Sequence, residues 1–291
     1  MVKNVEETLA KKGLRLPMKC NLPTKHGYRP EIYCTGELKA DGLQFYQELI
    51  GSFHWAVDII RGYILLSNHL ALPREGHLER IFHIVGYLKR RKKLLLLFDR
   101  GYPTTNENLF NKYDWFDLYR GAEESIPPNM PEARLHGVVV TCFVGANHGG
   151  NLKYRKSRTG VLIFINKSPI HWYSKSQTTV EASTFGAELC AMNTAVEIIE
   201  ALRYKLWMFG IPVEVPSNVH CDNEALTKNT KIPQLTLKKK HHSISYHMCR
   251  KEVAAGTVRI TKQGKEKNLA NFFTKILTAG RREFLLEIFT Y

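Results

Sequence analysis

The stretch Ser183-Thr184-Phe185-Gly186-Ala187-Glu188-Leu189 opens a long amphipathic segment and decides the fold. Apolar residues recur there at the three- or four-residue spacing of a helix with one buried face. They are Ala187, Ala191, Ala195, Ile198, Leu202, Leu206 and Phe209. Ser183 or Thr184 can cap the start of this helix, and Gly210 with Pro212 ends it. The sequence therefore predicts one long helix between residues 183 and 210.

Three strands are predicted before this helix, and helices alternate with strands after it. The upstream strands are 137–144, 160–166 and 168–174, and the dipeptide Asn166-Lys167 suits a tight hairpin between the last two. Downstream, we predict strands at 218–221 and 256–262. The predicted helices are 223–229, 238–254 and a C-terminal one from 268 with a break at 279–280. Hairpin-linked strands followed by alternating helix and strand predict an α/β domain with a mixed sheet.

The upstream part of the chain has a different character. Residues 1–38 are polar, basic and rich in proline, so they are predicted to be an irregular lead-in. Residues 39–100 contain two predicted helices, at 43–64 and 76–88, and a buried strand at 94–99. Residues 101–135 carry four prolines and an aromatic cluster, which indicates a linker with a docking element. The α/β domain is then expected to occupy residues 136–291.

The charge of the chain favours a polyanionic partner. It has 42 Lys and Arg against 27 Asp and Glu, a formal net charge of +15, and neutralised phosphates release counterions. A basic protein with no such partner is the alternative. Two compact basic blocks supply the candidate nucleic-acid contacts, which are Arg90, Arg91, Lys92, Lys238, Lys239, Lys240 and His241. No apolar run approaches the roughly 20 residues that span a bilayer, so a membrane partner is not expected.

Six cysteines are scattered along the chain, with no CxxC pair and no Cys/His spacing typical of zinc sites. This pattern predicts reduced thiols in an intracellular compartment, cytoplasmic or nuclear. It also argues against a zinc site.

Four short segments then point to one family. They are Cys142-Phe143-Val144-Gly145-Ala146-Asn147, the segment around Glu188, Cys221-Asp222-Asn223 and Leu269-Ala270-Asn271-Phe272-Phe273-Thr274-Lys275. In this order they resemble the four motifs of the ribonuclease H domain of copia-type LTR retrotransposon polyproteins. The resemblance covers residues 136–279. It also rests on Ser157-Arg158-Thr159-Gly160, Trp172-Tyr173-Ser174-Lys175-Ser176-Gln177, Glu200-Ala201-Leu202 and Lys240-His241.

The resemblance implies a fold and a place in a longer protein. The expected fold is α/β, a ribonuclease H-like mixed sheet with helices on both faces. A small, mainly helical segment that resembles the thumb or connection region of a reverse transcriptase should precede it. That looser resemblance covers residues 31–100. A polymerase palm needs a Tyr-x-Asp-Asp element, and the chain has no Asp-Asp pair, so polymerisation by this chain alone is not expected.

The resemblance also implies a catalytic site, which is incomplete here. The family places Asp, Glu, Asp and Asp at positions that read Gly145, Glu188, Asp222 and Asn271 in this chain. Two magnesium ions about 4 Å apart would assist phosphodiester hydrolysis there. Gly145 offers no ligand, and the amide of Asn271 carries no charge, so the ligand charge falls from four negative to two. Glu188 and Asp222 therefore remain as the expected metal ligands.

Each retained carboxylate has an ordinary alternative. Glu188 can be a first-turn glutamate favoured by the helix dipole, and Asp222 can be a helix N-cap, with Asn223 as its rival. Glu181 or Glu224 can replace a missing ligand, or else serve a helix surface.

Three functions follow from this reading. The first is binding of an RNA–DNA hybrid or another nucleic acid, with hydrolysis of the RNA strand impaired or lost. The second is an active RNA–DNA hybrid ribonuclease of a retrotransposon reverse transcriptase. The third is a decayed transposon copy with no selected function.

Overall fold

The computed structural model describes residues 2–11, 13–17, 20–23, 29–60, 66–91, 95–134, 136–237, 240–288 and 290. These residues form two compact units. The first contains residues 1–96, 151–155 and 275–291, and the second contains residues 97–150 and 156–274.

Eight α-helices and five strands are described. The helices are α1 (Val2–Lys11), α2 (Ala40–Ile60), α3 (Glu75–Arg90), α4 (Thr184–Met208), α5 (Glu224–Lys231), α6 (Ser243–Ala254), α7 (Asn271–Thr274) and α8 (Ala279–Leu286). The strands are β1 (Val140–Asn147), β2 (Arg158–Ile165), β3 (Ser168–Ser176), β4 (Ser217–Cys221) and β5 (Val258–Lys262). None of the described helices is both long enough and apolar enough to cross a membrane.

The first unit is mainly helical, as predicted for residues 39–100. The irregular lead-in predicted for residues 1–38 is wrong over residues 2–11, which form α1, because apolar residues of this helix pack into the core of the unit. Its core is built from apolar residues of α1, α2 and α3 with Leu66, namely Val5, Leu9, Phe45, Tyr46, Leu49, Ile50, Leu66, Ile81 and Val85. Helix α2 begins three residues before the predicted start. Its predicted last turn, residues 61–64, lies outside the described residues.

The strand predicted at 94–99 is wrong for the residues described, 95–99. They make only an isolated bridge, between Leu96 and Thr290, and the side chains of Leu95 and Phe98 are 63% and 68% exposed. An apolar run becomes a buried strand only where neighbouring strands pair with it and a core covers it. Among the residues that the structure describes, no strand pairs with 95–99 and neither core cluster includes them.

The second unit contains a five-stranded mixed sheet with strand order β3-β2-β1-β4-β5. Strands β1, β2 and β3 pair antiparallel, whereas β4 pairs parallel with β1 and with β5. The hairpin between β2 and β3 turns at Asn166, whose φ of 54° is in the left-handed region that asparagine tolerates. The predicted α/β class and the ribonuclease H-like mixed sheet are thus confirmed.

Helices cover both faces of this sheet. Val140, Cys142 and Val144 of β1 share a core cluster with Ala187, Ala191 and Ala195 of α4. Successive side chains of a strand point to opposite faces of the sheet. The residues of β1 and β2 that alternate with the core residues therefore face away from α4, and helix α7 packs on that face. There Gly145 and Gly160 are paired across β1 and β2. A Cβ atom at Gly160 would lie 2.5 Å from Thr274 Cγ2 and 2.9 Å from the carbonyl oxygen of Ala270. The glycine at 160 is therefore what allows α7 to lie on the sheet.

Residues 97–134 are largely irregular but are held to the second unit by specific contacts. Glu107 accepts hydrogen bonds from Arg259 at 2.5 and 2.9 Å, and Glu124 accepts two from Arg203 at 2.6 Å each. These contacts join residues 97–134 to the sheet unit, whereas residues 275–291 belong to the first unit. The four-part division at residues 38, 100 and 135 stays a prediction.

Candidate metal site and nucleic-acid contacts

Helix α4 carries Glu188 to the edge of the sheet. The Ser183 hydroxyl accepts a hydrogen bond from the Gly186 amide at 3.2 Å and caps the helix, as the sequence predicted. Glu188 follows within the second turn and is 8% exposed. Its Oε2 accepts a hydrogen bond from the backbone amide of Ala146 at 3.0 Å. The carboxylate is therefore fixed beside the end of β1.

The parallel pairing of β1 and β4 brings Asp222 to the same edge. Val144 and Cys221 are register partners, so Gly145 and Asp222 are the next residues along two adjacent parallel strands. The ligand atoms of Glu188, Cys221 and Asp222 all lie within 4.8 Å of one another. The two carboxylates are thus close enough to bind the same cation.

Asn223, and not Asp222, caps the following helix. Its Oδ1 accepts a hydrogen bond from the Leu226 amide at 3.0 Å. The alternative role of Asp222 as an N-cap is therefore taken by its neighbour, and the Asp222 side chain lies in the group with Glu188.

Cys221 completes this group as a thiol. Burial, followed by the nearby Glu188 and Asp222 carboxylates, raises the pKa of Cys221 well above its usual range. A thiolate is the form that binds metals, so the carboxylates are the ligands that a hard cation would find here.

Gly145 lies beside Glu188 at the edge of the sheet. A Cβ atom built on Gly145 would lie 3.9 Å from Glu188 Oε2 and 3.6 Å from both Ala270 Cβ and Asn268 Nδ2. All three distances are ordinary van der Waals contacts. A Cβ atom at position 145 is therefore accommodated without displacing its neighbours.

Asn271 is the first residue of α7, and its side chain is hydrogen-bonded to the loop that precedes this helix. It is 7% exposed, and its Nδ2 donates a hydrogen bond to the carbonyl oxygen of Lys265 at 2.8 Å. The same loop is tied to β1, because Asn268 Nδ2 donates to the carbonyl oxygen of Val144 at 3.0 Å. Ala270, the neighbour of Asn271, thereby lies against Gly145. The amide of Asn271 thus has a structural partner in addition to any ligand role.

The donor set fits one hard cation better than two. Magnesium takes oxygen ligands and is commonly held by one or two carboxylates with several waters, which Glu188 and Asp222 can provide. Two closely spaced divalent ions repel each other, and the Gly145 and Asn271 positions supply no charge to offset that repulsion.

The two carboxylates considered as substitute ligands lie elsewhere. Glu224 is exposed and forms ion pairs with Lys228 at 2.8 Å and with Lys262, and these two lysines lower the pKa of Glu224 to about 2. Glu181 lies 3.1 Å from His242. Among the residues that the structure describes, neither joins the group of Glu188 and Asp222. Glu224 therefore serves a helix surface.

Of the candidate nucleic-acid contacts, some have side-chain partners within the protein, some are exposed, and some lie outside the described residues. Arg90 donates a hydrogen bond to Asn21 at 2.6 Å, and Arg91 pairs with Glu283, so both side chains have partners within the first unit. Lys92, Lys238 and Lys239 lie outside the described residues. Lys240 and His241 are exposed on the short 3-10 helix that precedes α6. The binding role of these seven residues stays a prediction.

Sequence reasoning missed several residues around the site. The Ala146 amide, Asn268 and Cys221 depend on contacts between distant segments, and only the position of Cys221 beside Asp222 gave a signal. The sequence also gave no indication of a second group, formed by Glu181, His241 and His242. Its members lie about 60 residues apart in the chain, without a recognisable spacing.

Comparison with curated proteins identifies homologues, although no protein-family model matches the chain. The chain is 25% identical over 237 residues to the retrovirus-related Pol polyprotein from transposon RE1 of Arabidopsis thaliana. It is 29% identical over 249 residues to that from transposon TNT 1-94 of Nicotiana tabacum. These alignments cover 80% and 84% of the chain but only 14% and 16% of the relatives. The homologues are thus Pol polyproteins of copia-type transposons, as the motifs predicted.

Solved structures with some likeness include a ribonuclease H1, LC11, in complex with an RNA/DNA hybrid. It has a TM-score of 0.36 and 17% identity, covering 44% of this chain and 88% of that one. A foamy viral protease-reverse transcriptase, also in complex with RNA/DNA hybrid, has a TM-score of 0.39 and 12% identity. That match covers 80% of this chain and 26% of the viral one.

Proposed function

We propose that this chain is a retrotransposon-derived, ribonuclease H-like nucleic-acid-binding protein in which hydrolysis of the RNA strand of RNA–DNA hybrids is lost or severely impaired. The observation that carries the proposal is the geometry at Gly145. The position lies beside Glu188 with room for a Cβ atom, and it follows Val144 on β1 as Asp222 follows Cys221 on β4. The proximity of Gly145 to the two carboxylates supports the proposal that a ligand has been lost from this group.

The retained carboxylates favour cation binding without efficient catalysis. A bound magnesium ion supplies charge that stabilises a phosphate and lowers the pKa of a water molecule. Glu188, fixed by the Ala146 amide, and Asp222, at the end of β4, are the residues that would hold it. Loss of one charge-stabilising group typically reduces a reaction rate by about 100- to 1,000-fold. The loss of two carboxylates is expected to reduce the rate further.

Binding to nucleic acid is supported by charge. The net charge of +15 favours any polyanion, because phosphate contacts release counterions. The exposed Lys240 and His241 lie just before α6 in the same unit as the retained carboxylates. Contacts of this kind position a duplex without reading its sequence.

The proposal is tested by binding and cleavage of the same labelled hybrid. Fluorescence anisotropy should give an affinity that falls at least about tenfold between 50 and 200 mM salt, which corresponds to roughly two or more phosphate contacts. Unrelated hybrid sequences should bind equally well. In magnesium, the unaltered chain and its Asp222→Asn variant should both leave the hybrid intact.

Either of two results contradicts the proposal. If the chain shows no salt-dependent binding to the hybrid, it does not have the proposed nucleic-acid-binding role. Cleavage by the unaltered chain that Asp222→Asn abolishes indicates instead an active hybrid ribonuclease.

A further inference from the structure

A second group of metal-binding side chains lies in the sheet unit, separate from Glu188 and Asp222. The ligand atoms of Glu181, His241 and His242 lie within 4.8 Å of one another. Glu181 precedes α4, and the two histidines lie on the short 3-10 helix before α6. Long-range packing of α4 against α6 in one core therefore brings these residues together.

The closest pair in this group has the spacing of two ligands on one ion. Glu181 Oε2 and His242 Nε2 are 3.1 Å apart, and their side chains are 8% and 5% exposed. Ligands about 2.0–2.1 Å from a tetrahedral zinc ion are separated by roughly 3.3 Å. A small adjustment of either side chain therefore accommodates an ion between them.

The other oxygen of Glu181 is oriented by donors of its own. Thr179 Oγ1 donates to Glu181 Oε1 at 2.9 Å, and the Cys190 thiol donates to the same oxygen at 3.6 Å. Outer groups of this kind fix the orientation of metal ligands. Oε2 is thereby left directed at His242.

Two further features hold the group in place. Gly186 leaves room for it, since a Cβ atom there would lie 2.6 Å from both Glu181 Oε2 and His242 Nε2. The ring of His148 hydrogen-bonds the backbone carbonyl of Glu181 at 2.8 Å and fixes that residue from the β1 side. His241 is exposed, and the centroid of its ring lies 4.0 Å from that of His242, so the group extends from the buried pair to the protein surface.

We propose that Glu181, His241 and His242 form a binding site for one zinc-class divalent cation, with water in the fourth position. Two imidazoles and one carboxylate suit zinc and related transition metals, whereas magnesium prefers oxygen ligands throughout. This site is therefore chemically distinct from the pair Glu188 and Asp222. The cysteine spacing that argued against zinc does not bear on it, because no cysteine is a ligand.

The test is calorimetric titration of the chelator-treated full chain with zinc chloride, followed by visible absorption after addition of cobalt chloride. One equivalent of zinc should bind, and cobalt should give the intense visible bands of a four-coordinate site. Glu181→Gln, which conserves shape, and His241→Asn, at an exposed position, should each weaken zinc binding by more than about tenfold.

Two control variants separate this site from its surroundings. His136→Asn removes another exposed histidine and should leave zinc binding unchanged. The double variant Glu188→Gln/Asp222→Asn should also retain it, so that failure of the proposed nucleic-acid function and failure of the zinc site are distinguishable. Circular dichroism of every variant checks that the fold is retained.

Three results would overturn the site. The first is absence of stoichiometric zinc binding, which would leave Glu181 and His242 as an ion pair only. The second is zinc binding that survives both Glu181→Gln and His241→Asn. The third is loss of zinc binding in the Glu188→Gln/Asp222→Asn variant, which would place the ion at the other group.

Discussion

At the scale of single residues, Gly145 and Gly160 are paired across β1 and β2 but differ in the space around them. A Cβ atom at Gly145 meets only ordinary contacts of 3.6 Å and longer, whereas one at Gly160 lies 2.9 Å from the Ala270 carbonyl oxygen. Only Gly160 is required by packing. The packing of the fold therefore does not require a glycine at position 145.

This difference predicts opposite effects of the same substitution. Gly145→Ala should leave the free energy of unfolding unchanged or raise it by up to about 1 kcal/mol, because the unfolded chain loses freedom. Gly160→Ala should lower it by about 1–3 kcal/mol through overpacking against α7. Urea denaturation of the two variants measures both effects, and equal stabilities would contradict the role of Gly160.

Asn271 gives a second prediction at this scale. Asn271→Asp removes the buried donor to the Lys265 carbonyl oxygen and should cost about 1–3 kcal/mol of folding free energy in the absence of metal. Asn229→Asp is the matched control, since that amide also donates to a backbone carbonyl, at Ala225, but is exposed. Thermal unfolding in a chelator compares the two. A smaller effect at 271 than at 229 would refute the structural role of Asn271.

The sequence located these positions better than it explained them. The motifs placed Gly145 near the end of β1 and Asp222 directly after β4. They placed Glu188 in the second turn of α4 and Asn271 at the start of α7. The loop contacts of Asn271, and the pairing of Glu181 with His242, depend on residues far apart in the chain. No local pattern encodes them.

At the scale of elements, residues 97–134 are attached to the sheet unit by an ion pair in which Arg203 is buried and Glu124 is 14% exposed. Arg203 on α4 is 2% exposed and donates to both oxygens of Glu124, and also to the carbonyl oxygens of Val213 and Val215. Breaking one partner of a buried pair leaves an uncompensated charge. This irregular segment is therefore an integral part of the unit.

Glu124→Gln tests this attachment. Because the Arg203 guanidinium would lose its counter-charge, the variant should be destabilised by about 3 kcal/mol. Glu123→Gln alters an exposed neighbour and should change stability by less than about 0.5 kcal/mol. Equilibrium denaturation followed by tryptophan fluorescence gives both values. Similar stability of the two variants would mean that the segment is only loosely associated.

His220 on β4 is expected to make the free energy of unfolding depend on pH. Burial, followed by Arg259, lowers the pKa of His220 to about 4, and its ring stacks on Phe143 at 4.9 Å. The folded protein binds this proton less readily than the unfolded chain, whose histidines titrate near 6.5. The neutral His220 side chain therefore contributes fully to the free energy of unfolding above pH 6.5, and this contribution is lost as the pH falls toward 4.

His220→Phe isolates this effect. Between pH 7 and pH 4 the unaltered chain should lose up to about 3 kcal/mol more stability than the variant. Urea denaturation at a series of pH values measures the difference. Parallel pH profiles for the two proteins would show that His220 does not titrate with folding.

The helices and strands were predictable where the apolar residues followed a single regular spacing. Helices α3 and α4 and strands β2 to β5 lie within a few residues of their predicted places, because their apolar patterns are regular and turn residues bound them. The strand at 94–99 failed, since an apolar run does not reveal whether other strands pair with it. The C-terminal break falls at residues 275–278 and not at 279–280, because Thr278 precedes α8 and Ala279 and Gly280 belong to that helix.

At the scale of the whole chain, a large positive net charge accompanies two compact units, one of which carries the neighbouring carboxylates Glu188 and Asp222. The class of fold and the identity of the homologues were both accessible from motif order. The division of the chain into units was harder to predict from the sequence, because residues 97–134 have the composition of a linker but make buried contacts with the sheet unit. The homologues are much longer proteins, so this chain corresponds to a small part of them.

The most direct test is rescue of hybrid cleavage by the missing carboxylates. The unaltered chain, Gly145→Asp and the double variant Gly145→Asp/Asn271→Asp are incubated with a labelled RNA–DNA hybrid in magnesium and in manganese. We predict no cleavage by the unaltered chain and metal-dependent cleavage by the double variant, which Asp222→Asn should abolish. Cleavage by the unaltered chain, sensitive to Asp222→Asn, would contradict the proposal that Gly145 and Asn271 have inactivated the site.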